Sequence, residues 1–263
     1  MFTTHFKMTT QPFLENTPAQ HVLKDERVTE GLARLQYLAT YGTLALLSGP
    51  TGVGKSSLIK LFLSSLSGNR FQPAYVYLTH VGGNGLLKLI VSALGETPRH
   101  GKDRLFLQIL NKAQQSEPTT LLVLDEAHLI GPESLTDLRL LVSSLAEDRP
   151  RLKMVLSGQE SLRDQLKRSC HAALVHRISV RYHISPMSSQ QTAAYIDHHM
   201  TTAGAGPKVF EPEAKALIHD YAGGLARQVN NIATACLINA AAANLQKIDE
   251  PLVNQTIAEL QLP

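Results

Sequence analysis

The stretch Gly49-Pro50-Thr51-Gly52-Val53-Gly54-Lys55-Ser56-Ser57 constrains this chain more than any other. It joins an apolar run, TLALLSG (43–49), to a helical pattern, KSSLIKLFLSSL, and sets Gly49, Gly54, Lys55 and Ser56 at the spacing G-x-x-x-x-G-K-[ST]. Glycines at 49, 52 and 54 remove Cβ atoms, so that backbone N–H groups can close on an anion at the positive end of the following helix. Such a loop is a phosphate cradle, and it demands a strand before it and a helix after it.

The rest of the first two thirds repeats that alternation. Apolar runs at AYVYLTH (74–80), TLLVLDE (120–126), LKMVLSG (152–158) and ISVRYHI (178–184) are separated by helical patterns at GLLKLIVSALG and ESLTDLRLLVSSL. The expected fold is α/β, a parallel five-stranded sheet covered by helices on both faces. After His183 the strands stop. SSQQTAAYIDHHMTTAG, PEAKALIHDYAG, ARQVNNIATACLINAAAANLQ and EPLVNQTIAELQ read as helices broken by Gly and Pro. In the third, Val229, Ile232, Ala233, Cys236, Leu237 and Ala240 form one apolar face. The expected organisation is an N-terminal segment (1–30), an α/β core (31–185) and a small helical lid (186–263).

Lys55 is expected to reach the β- and γ-phosphates of a nucleoside triphosphate, and Ser56 to ligate Mg²⁺. In LLVLDEAH, four apolar residues deliver Asp125 and Glu126 to the tip of a buried strand, where open α/β sheets bind ligands. Asp125 would hold the magnesium through its water shell, and Glu126 would polarise the attacking water. Paired in this way, the carboxylates point to hydrolysis of ATP. Gln159, at the end of LKMVLSG, could complete the geometry of that water. Arg227, after a Gly-Gly break, and Arg177, just before the last strand, are candidates to stabilise charge on the γ-phosphoryl group, with Arg168 and Arg181 as rivals to Arg177.

Bulk properties exclude more than they identify. The 25 Lys and Arg against 22 Asp and Glu leave +3, which does not by itself mark a nucleic-acid binder. Two cysteines, Cys170 and Cys236, lack zinc spacing and fit a reducing compartment. Neither a secretory leader nor an apolar run of spanning length is present, so a cytoplasmic protein without a membrane partner is expected. The pair His198-His199 has no carboxylate or thiol at ligand spacing, and the DEAH string around His128 lacks the remaining motifs of a helicase.

Taken in order, GPTGVGKS, LLVLDEAH, LSGQESLRDQL, HRI and GGLARQVNNIA resemble the AAA+ ATPases of the ExeA/GspA and TniB/MuB kind, from about Gln11 to the C-terminus. The resemblance implies a P-loop NTPase core with a C-terminal helical lid. It implies that Gln159 is sensor 1, Arg227 sensor 2 and Arg177 a finger donated to a neighbouring subunit. It also implies that the segment carrying Phe13 lies against the adenine, with Pro50, Thr51, Val53 and Ser57 completing the loop around the phosphates. Leu225-Ala226 stands where the family has a proline before the arginine, which loosens the sensor 2 register; Ser56-Ser57 and His176 depart from the pattern without consequence.

Relatives of this kind either energise an envelope or secretion machine or assist transposition. The chain stops at Pro263, straight after the helical segment, which turns the expectation towards transposition: an ATPase that assembles as a ring or filament on double-stranded DNA, with little sequence preference, and recruits or regulates a transposase. Assembly and DNA would then stimulate turnover. Candidate backbone contacts are Thr79 and His80 after the second strand, and Arg99, Lys102 and Arg104 in the basic stretch TPRHGKDR. The alternatives are a secretion-type ATPase and a slow nucleotide switch.

Overall fold

A computed structural model of the chain describes residues 1–79, 82, 84–144, 151–206 and 208–260. Along the chain run α1 (Phe2–His5), α2 (Glu26–Tyr41), β1 (Leu44–Ser48), α3 (Lys55–Ser64), β2 (Phe71–Tyr77), α4 (Gly85–Ala93) and α5 (Lys102–Gln115). Then come β3 (Thr119–Asp125), α6 (Pro132–Ser144), β4 (Leu152–Gly158), α7 (Glu160–Leu166), α8 (Ala172–Val175) and β5 (Ile178–His183). Four helices follow: α9 (Ser189–Thr202), α10 (Pro212–Ala222), α11 (Ala226–Ala242) and α12 (Glu250–Leu260).

The chain divides into two compact units, one of Thr29–Gly49 with Leu58–Ile184, the other of Met1–Val28, Pro50–Ser57 and Ser185–Pro263. The first holds a five-stranded sheet in the order β2-β3-β4-β1-β5, all parallel. Every residue of β1 and β4 is buried, as continuous apolar runs require of central parallel strands. Leu122, Leu124, Met154 and Leu156 pack on one face with Ile90 of α4, Ile109 of α5 and Leu138 of α6. Leu35 and Leu38 of α2 and Leu58, Ile59 and Phe62 of α3 are also buried. Sheet and helices agree with the fold class read from the sequence.

Two departures have physical causes. The second strand begins at Phe71, before Pro73, and ends at Tyr77, whereas the run 74–80 was expected. A proline breaks a ladder only where its missing N–H faces a neighbour, and β2 is an edge strand. The basic stretch TPRHGKDR is not a loop throughout, because Lys102 and Arg104 lie in the first turn of α5. Helices α2, α5 and α7 fall outside the helical patterns read from the sequence.

The second unit is helical. Its core joins Ile196 and Met200 of α9, Ile218 of α10, Val229, Ala233, Cys236, Leu237 and Ala240 of α11, and Val253 and Ile257 of α12 to Phe6 and Phe13 from the N-terminus. The face expected on α11 is buried residue for residue. Helix α9 starts with a capping box between Ser188 and Gln191, α10 with Pro212, and α10 ends at Gly223 in the left-handed region. The N-terminal segment is held to these helices by backbone and imidazole bonds. Thr9 donates its N–H to Ala203 O at 2.8 Å, His199 Nδ1 meets Pro12 O at 3.0 Å, and His198 Nε2 meets His21 O at 2.9 Å.

Candidate nucleotide site

The loop residues Pro50–Ser57 belong to the helical unit. Gly52 has φ +77 and Gly54 φ +111, conformations that side chains resist, and a Cβ on Gly52 would stand 2.8 Å from Cβ of Arg227. The backbone N–H of Arg227 donates to Gly52 O at 3.0 Å. Leu225 is the N-cap of α11, and Arg227 is in its first turn, next to the loop. Lys55 is buried, and its Nζ donates to Pro50 O at 2.9 Å, folding the ammonium back over its own loop. Val53 is buried, whereas Thr51 and Ser56 are exposed.

Beside Arg227 the same unit carries a groove of about 620 Å³ whose walls include Gln11, Phe13, Asn230 and Thr234. Phe13 is buried, with its ring 5.7 Å from that of His199 and 6.3 Å, edge on, from that of Phe210. Tyr195 donates its hydroxyl to Asn230 Oδ1 at 2.9 Å, and burial pushes that phenol up to about 12. The amide oxygen of Asn230 is thereby held by Tyr195. Burial, with His198 close by, pushes His199 down to about 4, so the imidazole that meets Pro12 O is neutral.

In the sheet unit, Asp125 ends β3 and is 1% exposed. Its Oδ1 accepts the N–H of Glu126 at 3.0 Å, and its Oδ2 accepts the hydroxyl of Tyr75 from the neighbouring strand. Glu126 stands in the left-handed region at φ +57, a conformation uncommon for a residue with a Cβ and found where structure over-determines it. Its Oε2 lies 3.3 Å from the buried Nδ1 of His128, without hydrogen-bond geometry, and Gln165 Nε2 donates to His128 O at 3.1 Å. Gln159 is the N-cap of α7, at the end of β4. The carboxyl ends of β3 and β4 open on one edge of the sheet, so the acid pair and Gln159 share it. Sequence reading missed the contacts of Tyr75 with Asp125 and of His128 with Glu126. Tyr75 gave no signal, since it is 50 residues from Asp125; His128 gave one, its place two residues after Glu126.

Arg177, Arg168 and Arg181 are exposed, and Arg181 donates to Val175 O at 3.0 Å. Among the DNA candidates, Thr79 is exposed and His80 lies outside the described residues. Arg99 gives its backbone N–H to Gln108 Oε1 at 2.9 Å. Lys102 is not a free loop cation: its Nζ sits 2.8 Å from Oδ1 of the buried Asp137. Arg104 is exposed on α5. Among the described residues no three His, Cys, Asp or Glu side chains gather as a metal cage, and no helix is long and apolar enough to cross a membrane.

Residues 39–166 match the family model of an AAA domain. The chain is 29% identical over 256 residues to the General secretion pathway protein A of Aeromonas hydrophila, a match covering 94% of this chain and 46% of that protein, so the chain spans about half the length of this curated relative. Among solved structures it resembles the Aeropyrum pernix ORC2 protein (TM-score 0.73, 20% identity, 94% of this chain and 71% of that one). It also resembles the Aeropyrum pernix ORC1 protein in complex with DNA (TM-score 0.71, 20% identity, 95% and 68%). A third is the Thermotoga maritima RuvB Holliday junction branch migration motor (TM-score 0.64, 16% identity, 96% and 74%). At such identities these likenesses speak for the fold. Residues 39–166 are thus similar to an AAA domain, and the chain shares its fold with the ORC and RuvB proteins.

Proposed function

We propose that the protein binds ATP with Mg²⁺ and hydrolyses it to ADP and phosphate. Two observations support this reading, each within its own unit: a glycine loop in positive-φ conformations at Gly52 and Gly54, and a buried carboxylate at the end of β3 that directly precedes Glu126 in sequence. Backbone N–H groups of 49–54 hold the phosphate chain, and Lys55 turns from Pro50 O to the β- and γ-phosphates. The groove beside Phe13 and Arg227 supports a place for the adenine.

The donor set fits magnesium. One hydroxyl, Ser56, and one carboxylate, Asp125, suit an ion that keeps most of its water and takes phosphate oxygens, rather than one needing a protein cage. When bound, the ion neutralises charge on the β- and γ-oxygens. Glu126 takes the proton of the attacking water, and Gln159 orients that water. Arg227 of the same chain, and Arg177 from a neighbouring copy, meet the charge spread over the γ-phosphoryl oxygens. A finger given in trans makes turnover depend on self-assembly, as a ring or filament. Replacing Glu126 with Gln should leave ATP binding intact and reduce phosphate release at least 100-fold; wild-type turnover in that variant would remove the assignment.

For the client, the reading we favour is double-stranded DNA in the service of a transposase, in the cytoplasm. Structural likeness to a protein solved in complex with DNA supports the DNA part, and exposed Thr79 and Arg104 are suited to touch backbone phosphates. A second reading, an ATPase serving a secretion machine, is favoured by the likeness to General secretion pathway protein A. Duplex DNA separates them: under the first reading it raises ATP turnover and is bound in a steeply salt-dependent way, and under the second it does neither.

A further inference from the structure

The groove beside Arg227 is lined from two segments that both lead back to one imidazole. Gln11 and Phe13 come from the N-terminal segment and Asn230 from α11, and all of them belong to the helical unit, as does the loop Pro50–Ser57. His199 of α9, 3% exposed, is tied to both segments. Its Nδ1 lies 3.0 Å from Pro12 O, and because a carbonyl can only accept, Nδ1 carries the proton and donates. Pro12 stands between Gln11 and Phe13, so this bond pins the segment where it meets the groove. One turn earlier on α9, Tyr195 packs its ring 4.3 Å from the imidazole and donates its hydroxyl to Asn230 Oδ1 at 2.9 Å. The ring of Phe13 lies 5.7 Å from the same imidazole.

We propose that His199 is a positioning residue for the base of the nucleotide: it ties the two lining segments together, so that the N-terminal segment is a strap whose release frees the base. The inference rests on the reading of this groove as the place of the adenine. His199 is not among the residues that line the groove, so it acts on a ligand only through Pro12 on the strap and through Tyr195 and Asn230 on α11. The strap is anchored upstream, where Thr9 gives its N–H and its hydroxyl to Ala203 O at 2.8 and 3.0 Å, and downstream, where His198 Nε2 meets His21 O at 2.9 Å. The groove-lining residues lie between those anchors. Pro12 has no N–H to give, so backbone bonding there goes through its carbonyl alone. Leu14 and Glu15, next in the chain, are exposed. A span held at both ends can open in its middle without unfolding of the helices that carry it.

The test is the release rate of a fluorescent ADP analogue, displaced by excess ADP, from the wild type, His199→Phe, His199→Asn and His219→Phe, together with hydrogen exchange of residues 9–15 with and without ADP. His219, whose Nδ1 meets Thr192 Oγ1 at 2.9 Å in the same unit, serves as the control. Bound ADP should slow exchange in residues 9–15 of the wild type by about 10-fold. His199→Phe keeps an aromatic ring but loses the donor, and should release the analogue about 5–10-fold faster, the net worth of one hydrogen bond. His199→Asn keeps an N–H at the δ position and should stay within about twofold of the wild type, as should His219→Phe. Exchange indifferent to ADP, or release from His199→Phe at the wild-type rate, overturns the inference and leaves the ATP reading standing. His199→Asn or His219→Phe releasing as fast as His199→Phe makes the effect one of general packing and overturns it too. If His199→Phe does not fold, the wild-type exchange and the His199→Asn rate still decide. A wild type that binds no nucleotide under any condition overturns the ATP reading, and this inference with it.

Discussion

The amide of Arg227 donates to the carbonyl of Gly52 at 3.0 Å, which ties the first turn of α11 to the phosphate loop through backbone alone. The guanidinium is left free of that duty. Arg227→Ala should therefore leave stability within about 0.5 kcal/mol of wild type while slowing ATP turnover by 10-fold or more, a split read by denaturant melts and phosphate release.

Gly52→Ala reports on the same contact from the other side. A methyl there meets Arg227 Cβ at 2.8 Å and sits on a backbone at φ +77, so both space and conformation oppose it. Destabilisation of about 1–3 kcal/mol is expected, together with weakened binding of an ATP analogue. A neutral Gly52→Ala in both assays would show that the loop does not pack against α11 in solution.

The neutral His199 makes the N-terminal segment acid-labile. Its folded value of about 4 lies below the ordinary 6.5, so the unfolded chain binds the extra proton first. Its contribution is fully present above 6.5 and is lost as pH falls through the window down to about 4. The span corresponds to about 3 kcal/mol at most. Urea titrations from pH 7 to 4 measure the slope, which His199→Gln should flatten over that window.

Lys153 is a buried cation in β4 that donates to Leu38 O at 2.9 Å and to Gly42 O at 2.8 Å, closing the C-terminal end of α2. Burial lowers its pKa, and no carboxylate is needed because two carbonyls take the ammonium. Lys153→Met keeps the volume and strands both carbonyls. We expect a loss of about 2–4 kcal/mol in chemical denaturation with no direct effect on nucleotide chemistry.

How far these features could be read in advance depends on range. The run Leu152–Gly158 and the apolar face of α11 were legible because a continuous apolar strand and a 3.6-residue stripe are local patterns. The glycine loop and Asp125-Glu126 could be proposed as site residues from adjacent positions alone, because the pattern that suggests them is local. The start of β2 was not, because whether Pro73 breaks a strand depends on which strand lies beside it. Lys102 read as a loop cation because Asp137, which holds it, comes 35 positions later on α6. Tyr75 and Asp125 meet across two strands, and no single-sequence pattern announces that.

Lys102 and Arg104 separate pairing from recognition. Lys102→Ala leaves the carboxylate of Asp137 buried and without its partner, so it should cost stability. Arg104→Ala touches no described ion pair. If duplex DNA is the client, it should weaken binding evenly across sequences and lower the slope of log affinity against log salt by about 1. An unchanged slope would remove Arg104 from the DNA surface.

The dependence of hydrolysis on a second copy is tested most directly by mixing two crippled chains, Lys55→Ala, which cannot hold the triphosphate, and Arg177→Ala, which holds it but offers no finger. Each alone should be nearly inactive, and an equimolar mixture should recover a substantial part of wild-type turnover, because the first variant lends its Arg177 to the second. Arg177→Ala hydrolysing ATP at the wild-type rate by itself would contradict the account.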